Sequence, residues 1–241
     1  MKTLALAIPC HNEAKRLDIQ AFINASEKWQ WISFCFIDDG STDSTASMLA
    51  HLSNLSPAFH AIYLEKNMGK AEAVRQGMLH ICENTRADCA GFWDADLATP
   101  LEAIPSFMRQ FEENANLKGT IGSRWPHLGT EIKRSPLRNI GGAVAKFMIR
   151  RVLDVPVWDT QCGAKIFKRE TAAEIFRAPF KTRWLFDVEL LSRLGKNSLG
   201  KEVREIPLEE WYDIPGSKVG LRALAELAFL PSIYRGYMLQ S

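Results

Sequence analysis

The chain is poor in the features that would assign it most directly. No uncharged apolar run approaches the ~18 residues needed to cross a bilayer. The N-terminal run 4–10 is too short for a signal segment, and it leads directly into Pro9-Cys10-His11-Asn12-Glu13. The five cysteines (Cys10, Cys35, Cys82, Cys89 and Cys162) form no Cys-x-x-Cys pair. An odd count without a leader argues against a disulfide framework and a structural zinc, and predicts reduced thiols in the cytoplasm. The net charge of +2 and the absence of Lys/Arg runs argue against nucleic acid as a partner. Asn67-Met68-Gly69-Lys70 lacks the upstream Gly and the following Ser/Thr of a P-loop, and no Gly-x-Gly-x-x-Gly follows a strand. The five histidines show no ligand spacing, and only His11 falls where a crevice is expected. There is no internal repeat and no low-complexity linker.

What remains is an ordinary globular composition, 46% apolar and 24% charged, in a chain long enough for a substantial core. In the first half, apolar runs at 4–8, 32–37, 58–64 and 89–93 read as strands. Stretches 17–28, 44–52 and 70–82 read as helices between them. This alternation predicts an α/β fold with a mostly parallel central sheet flanked by helices. Thr99-Pro100-Leu101-Glu102 reads as a capping box opening the next helix, and 118–123 as a further strand. The second half is less regular: a helix over 139–153, a polar loop 159–163, a strand near 165–167, a helix near 184–194, a strand 203–211, and a closing helix 221–238 interrupted near Pro231. We expect one domain over 1–241, a Rossmann-like nucleotide half (about 1–123) continuous with an acceptor half (about 124–241) that ends in the closing helix.

Two acidic clusters carry the chemistry. Asp38-Asp39-Gly40-Ser41 and Asp94-Ala95-Asp96 each follow a buried-strand pattern. Either alone is an ordinary turn composition. Together, at carboxyl ends of strands where such sheets bind ligands, they place like charges in one crevice, and a divalent cation shared with phosphate is the usual remedy. Lys70 is either a solvated helix residue or a donor-side group. From 118 to 151 the chain carries eight basic residues and only Glu131 as an acid. Arginines there, Arg124 and Arg138 among them, suit phosphate groups. Trp125, Phe147, Met148 and Ile149 in the same stretch suit an amphiphilic acceptor or an anionic membrane surface. Asp187 and Glu189 lie two apart in an apolar helix, so at most one reaches the crevice.

In order along the chain, Ile8-Pro9-Cys10-His11-Asn12-Glu13, Asp38-Asp39-Gly40-Ser41-Thr42-Asp43, Asn67-Met68-Gly69-Lys70, Asp94-Ala95-Asp96, Gly122-Ser123-Arg124, Asp159-Thr160-Gln161-Cys162-Gly163, Arg183-Trp184-Leu185-Phe186-Asp187-Val188-Glu189 and Ser217-Lys218 resemble a family-2 glycosyltransferase of the GT-A fold. The likeness is strongest to polyprenyl- and dolichyl-phosphate sugar synthases, and within them to the dolichyl-phosphate glucosyltransferase branch. The resemblance implies a nucleotide-diphosphate sugar of the UDP-glucose or GDP-mannose type as donor, bound by Pro9, Asn12, Glu13, Asp38 or Asp39, Lys70, Asp94 and Ala95. It implies Mg²⁺ or Mn²⁺ on Asp94 and Asp96. Arg124, Arg138, Ser217 and Lys218 would hold an acceptor phosphate, with Asp159, Asp187 and Glu189 on the acceptor side. Asp187 is the expected base if the acceptor is a hydroxyl. Ala98 stands where many related synthases have Gln as a further metal ligand. The branch commonly carries an N-terminal membrane helix, and these residues contain none, which leaves peripheral contact with the inner membrane face. Two alternatives remain: a soluble or protein-bound hydroxyl acceptor, and a non-catalytic nucleotide-sugar-binding module.

Overall fold

The computed structural model describes residues 2–125, 131–133, 157–212 and 226–238. Its first half is the expected alternation: β1 (Leu4–Cys10), α1 (Ile19–Lys28), β2 (Ile32–Asp38), α2 (Thr45–Leu55), β3 (Phe59–Tyr63), α3 (Lys70–Asn84) and β4 (Cys89–Trp93). There follow α4 (Ile104–Glu113), β5 (Gly119–Ser123), β6 (Glu131–Lys133), β7 (Ala164–Lys168), α5 (Arg169–Ile175), α6 (Phe186–Leu194), α7 (Lys196–Lys201), β8 (Val203–Pro207), β9 (Glu210–Tyr212) and α8 (Leu230–Met238). Seven strands form one sheet in the order β3-β2-β1-β4-β7-β5-β8, and β6 pairs with β9 in a separate ribbon.

The strands read as continuous apolar runs because helices cover both faces of the sheet. Successive side chains alternate between two cores. Ala5, Ala7, Cys35, Ile37 and Phe92 face α3, α5 and α6, while Leu4, Leu6, Ile8, Phe34 and Phe36 face α1, α2 and α4. The second face is held by an aromatic group in which Phe22 meets Phe34 and Phe36 edge-on at 5.2 and 5.0 Å. Full burial of one such ring contributes roughly 1.5–3 kcal/mol.

β7 decides the site. It runs antiparallel to both neighbours, with Trp93 opposite Ala164 and Ile121 opposite Lys165. In a parallel sheet the ligand edge receives only the loops that follow strands. An antiparallel strand delivers instead the loop that precedes it. The 159–163 loop therefore arrives beside Asp94, and Arg124, just after β5, arrives at the same edge.

Three local expectations are corrected. Thr99 caps no helix: residues 101–103 form a 3-10 turn, α4 starts at Ile104 with Pro105 in its first turn, and the Thr99 carbonyl accepts a bond from Trp93 Nε1 at 2.8 Å. The strand expected over 203–211 is two strands in different sheets. Pro231 does not interrupt the closing helix but lies in its first turn, after a 3-10 segment at Glu226–Phe229. That helix buries Leu230 and Ile233 in the core. No helix among the described residues is long and apolar enough to cross a membrane. All five cysteines are buried and unpaired. The helix expected over 139–153 lies outside the described residues.

Candidate active site

The turn after β1 is stitched to the turn after β2. Asn12 has a positive φ of 55°, a conformation Asn tolerates better than most residues. Its backbone N–H donates to Ser41 Oγ at 3.0 Å, and its Oδ1 accepts from the Thr42 N–H at 2.8 Å. The Glu13 N–H donates to Thr45 Oγ1 at 2.9 Å, and the Glu13 carboxylate pairs with Arg16 at 2.5 Å. Pro9, in the last turn of strand β1, brings this segment to the sheet edge.

The first acidic cluster divides its work. Asp39 Oδ1 accepts from the Met68 N–H at 2.6 Å and Oδ2 from the Gly69 N–H at 2.8 Å, so this carboxylate frames the turn that starts α3. The Asp38 carboxylate accepts only the Ser41 N–H, at 3.3 Å, among the described residues, which leaves it the member of the pair with capacity for a ligand. Gly69 is required twice over in that turn: its φ is 91°, and a Cβ would lie 2.6 Å from the Arg183 guanidinium.

The second cluster has no comparable set of backbone donors. Asp96 Oδ1 accepts the Ala98 N–H at 3.1 Å, and Ala95 is buried between the two acids. Burial, and then the Asp94 charge, hold the Asp96 carboxyl above its ordinary range, against the pull of the Ala98 N–H, Lys70 and Arg16. Lys70 forms an ion pair with Asp94. Burial disfavours its ammonium, but Asp94 and then Asp187 outweigh that and raise it above its usual value, so it stays charged. On the other side of Asp94 lies Gly163, where a Cβ would come 1.9 Å from Asp94 Oδ2, so that any larger residue would displace the carboxylate or the loop.

Just after β5, Arg124 donates from Nε and Nη2 to the two oxygens of Asp159 at 2.6 and 2.7 Å, and lies 5.3 Å from the centroid of the Trp211 ring. Asp159 is 1% exposed, and its backbone N–H is held by Glu205 at 2.7 Å. With both oxygens on the guanidinium, Asp159 holds Arg124 in place. Beside it, Ser123, Trp125, Trp158, Glu205 and Pro207 line a cavity of about 320 Å³. Asp187, in the first turn of α6, pairs through Oδ1 with Lys165 Nζ at 2.5 Å. Burial raises its carboxyl above the ordinary range, against Lys165 and Lys70 and with Asp94. Of the two acids on α6, Asp187 is therefore the one within electrostatic reach of Asp94. Glu189 instead accepts from the Lys181 N–H at 2.9 Å and pairs with Arg193 at 2.9 Å. Arg138, Ser217 and Lys218 lie outside the described residues.

Sequence reasoning missed Lys165, and gave no role to Arg183 and Gln161 although both fall within its motifs. Lys165 is wholly buried, and its only signal was one cation inside the apolar run of β7. Gln161 Nε2 is buried without a hydrogen-bond partner among the described residues, in the loop between Asp159 and Gly163.

Among the described residues, no three or more His, Cys, Asp or Glu side chains form a metal-ligand group. Asp94 and Asp96 supply two hard oxygen donors, with the Asp94 charge already disfavouring that of Asp96 and Asp94 already drawing an ammonium. That donor set fits a divalent cation whose remaining ligands are phosphate oxygens.

The fold has solved counterparts. Glucosyl-3-phosphoglycerate synthase from Mycobacterium tuberculosis in complex with UDP aligns with a TM-score of 0.69 at 16% identity, over 97% of this chain and 80% of that one. The same enzyme in complex with Mn²⁺, UDP-Glc and phosphoglyceric acid aligns with a TM-score of 0.68 at 17% identity, with the same coverage. The fold is the GT-A type of the glycosyltransferases. The family model for glycosyl transferase family 2 matches residues 5–176, and the chain belongs to that family. It is similar to the dolichyl-phosphate beta-glucosyltransferase of Saccharomyces cerevisiae, 31% identical over 96% of this chain and 76% of that protein. It is likewise similar to the protein of that name from Dictyostelium discoideum, 34% identical over 90% of this chain and 68% of that protein. The resemblance to this branch read from the motifs is borne out, and the chain is a glycosyltransferase.

Proposed function

We propose that the protein transfers glucose from a nucleotide-diphosphate sugar to a polyprenyl phosphate, in one displacement that inverts the anomeric carbon. The observation that carries this is the row Asp96, Asp94, Lys70 and Asp187 along one sheet edge, in a chain similar over nearly its whole length to dolichyl-phosphate glucosyltransferases. Asp38, Asn12 and the turn after β1 bind the nucleoside. Lys70 takes a donor phosphate, because its ammonium is charged and its side chain is 41% exposed at the mouth. Asp94 and Asp96 would hold Mg²⁺ or Mn²⁺, which when bound offsets charge growing on the departing nucleoside diphosphate. Arg124, fixed by Asp159, meets the acceptor phosphate. A phosphate monoester is largely a dianion above its second pKa of about 6, so its oxygen attacks without a strong base. Asp187 orients that end of the acceptor, and takes the proton where the acceptor is a hydroxyl.

Purified protein incubated with UDP-glucose, dolichyl phosphate and Mn²⁺ should form a lipid-linked glucoside of β configuration, and chelation should stop it. GDP-mannose in the same assay tests the donor. Turnover only onto soluble acceptors would replace the lipid acceptor with a hydroxyl one. Binding of UDP-glucose without any transfer or hydrolysis would leave a binding module. Co-sedimentation with anionic vesicles at low and high salt tests peripheral membrane contact, which the basic stretch after Arg124 favours.

A further inference from the structure

Lys165 carries the least expected charge in the molecule. It is the second residue of β7, which lies between β4 and β5, and it has 0% exposure. A buried ammonium is tolerated only where its donors are met. Nζ donates to the Cys162 carbonyl at 2.6 Å and to Asp187 Oδ1 at 2.5 Å, and lies 5.3 Å from the centroid of the Phe92 ring. One side chain thus ties the 159–163 loop, the first turn of α6 and the last residues of β4 together. Packing alone does not require this, since apolar pairs fill such space at little or no cost.

The groups facing Asp187 are Lys165 from β7, Lys70 from the start of α3, and Asp94 from the loop after β4. Lys165, Asp187, Lys70 and Asp94 make a row of alternating sign. The two lysines in it differ in freedom. Lys70 is partly exposed and can be drawn to an arriving phosphate; Lys165 is enclosed and cannot leave. We propose that Lys165 is a positioning residue of the transfer reaction: its fixed ammonium holds the Asp187 carboxylate as an anion at the floor of the crevice, so that Lys70 remains available to Asp94 and to the donor phosphates. This rests on the reading of Asp187 as a reaction-side group. Without Lys165, Asp187 either takes a proton or recruits Lys70, and each removes one charge from the site.

The test compares wild type, K165M, K165R, D187N and K165M/D187N, with melting temperatures recorded for all. Infrared difference spectra at neutral pH should show a protonated-carboxyl band in K165M that wild type and K165M/D187N lack. With UDP-glucose and dolichyl phosphate, K165M should lose roughly 100-fold in kcat while KM for UDP-glucose changes by less than about threefold. K165R should recover at least about tenfold of that loss, because it keeps the charge. In the D187N background, K165M should cost less than about twofold more, since its effect passes through Asp187. A K165M protein that melts lower but keeps the wild-type kcat and shows no carboxyl band would make the pair a packing feature and overturn the proposal. Should K165M not fold, the neutral pair K165M/D187N replaces it, and a kcat more than about tenfold below that of D187N overturns the proposal. If wild type uses no sugar nucleotide, the proposed function fails instead, and the infrared arm alone decides the role of Lys165.

Discussion

Two acidic clusters that look alike in sequence have different physical situations. Asp39 receives two backbone N–H groups and closes the turn that starts α3. Asp94 and Asp96 share one short loop, receive little from the backbone, and depend on a lysine for neutralisation. A carboxylate whose lone pairs meet backbone amides acts as scaffold, and its charge strengthens those bonds. A carboxylate held in a crowded, desolvated place without such partners stores unfavourable energy, which a ligand can relieve. The cluster proposed to hold the metal is therefore distinguished by what its residues lack.

The strongest test of this difference is Asp96→Asn. It should lower metal-dependent turnover by roughly 10³-fold, the range seen when one electrostatic contributor is removed. Its melting temperature should equal or exceed that of wild type. A lower melting temperature with turnover within about threefold of wild type would make Asp96 scaffold and dissolve the contrast. Asp39→Ala should do the opposite. It strands two amide donors, costing about 3 kcal/mol, and should lower the melting temperature by roughly 6–12 °C in a chain of this size. An unchanged melting curve would show that the Asn67–Lys70 turn holds itself.

Gly163→Ala sharpens the comparison from the other side. The added methyl must displace the loop or the Asp94 carboxylate that it meets. We expect about tenfold lower turnover and a stability loss of ~1–3 kcal/mol, the usual cost of overpacking. Full activity would mean that Asp94 can shift without consequence.

The smallest effect is one of pH, measured by denaturant unfolding without divalent metal. Because the folded-state pKa of Asp96 is raised, the folded protein binds more protons than the unfolded chain between the ordinary carboxylate value and the raised one. Stability from this group is therefore present at low pH and lost as pH rises through that window. Asp96→Asn lacks this loss, so its stability relative to wild type should grow with pH across the window and disappear below it. A constant difference at all pH values would contradict the assigned cause.

Much of the fold was legible because a strand covered on both faces must be apolar throughout. Residues 89–93 were read with the same bounds that β4 has in the structure. The helices between strands followed from period and spacing. Ends governed by local competition were read less well: the capping pattern at Thr99 gave way to a 3-10 turn, and the run after Val203 divides between two sheets. In the candidate site, motif order located both acidic clusters, the 159–163 loop and Asp187. It did not reveal that Asp159 holds Arg124, that Glu189 braces its own loop, or that Lys165 stands behind Asp187.

The sequence by itself determined the alternation of strands and helices, the sheet edge at which the acids gather, and the glycosyltransferase family. The first two follow from hydrophobic period and from residue types at short spacing, which are local properties; the family follows from the likeness of the ordered motifs to a known one. Only the tertiary structure decided which acid is held by backbone amides and which is left to a lysine. That depends on partners distant in the chain, as when amides 29 and 30 residues away reach Asp39, and a lysine 22 residues away reaches Asp187. The direction of β7 set the 159–163 loop beside Asp94 and Lys165 beside Asp187, and a short run such as Ala164–Lys168 carries no mark of whether its neighbours run with it or against it.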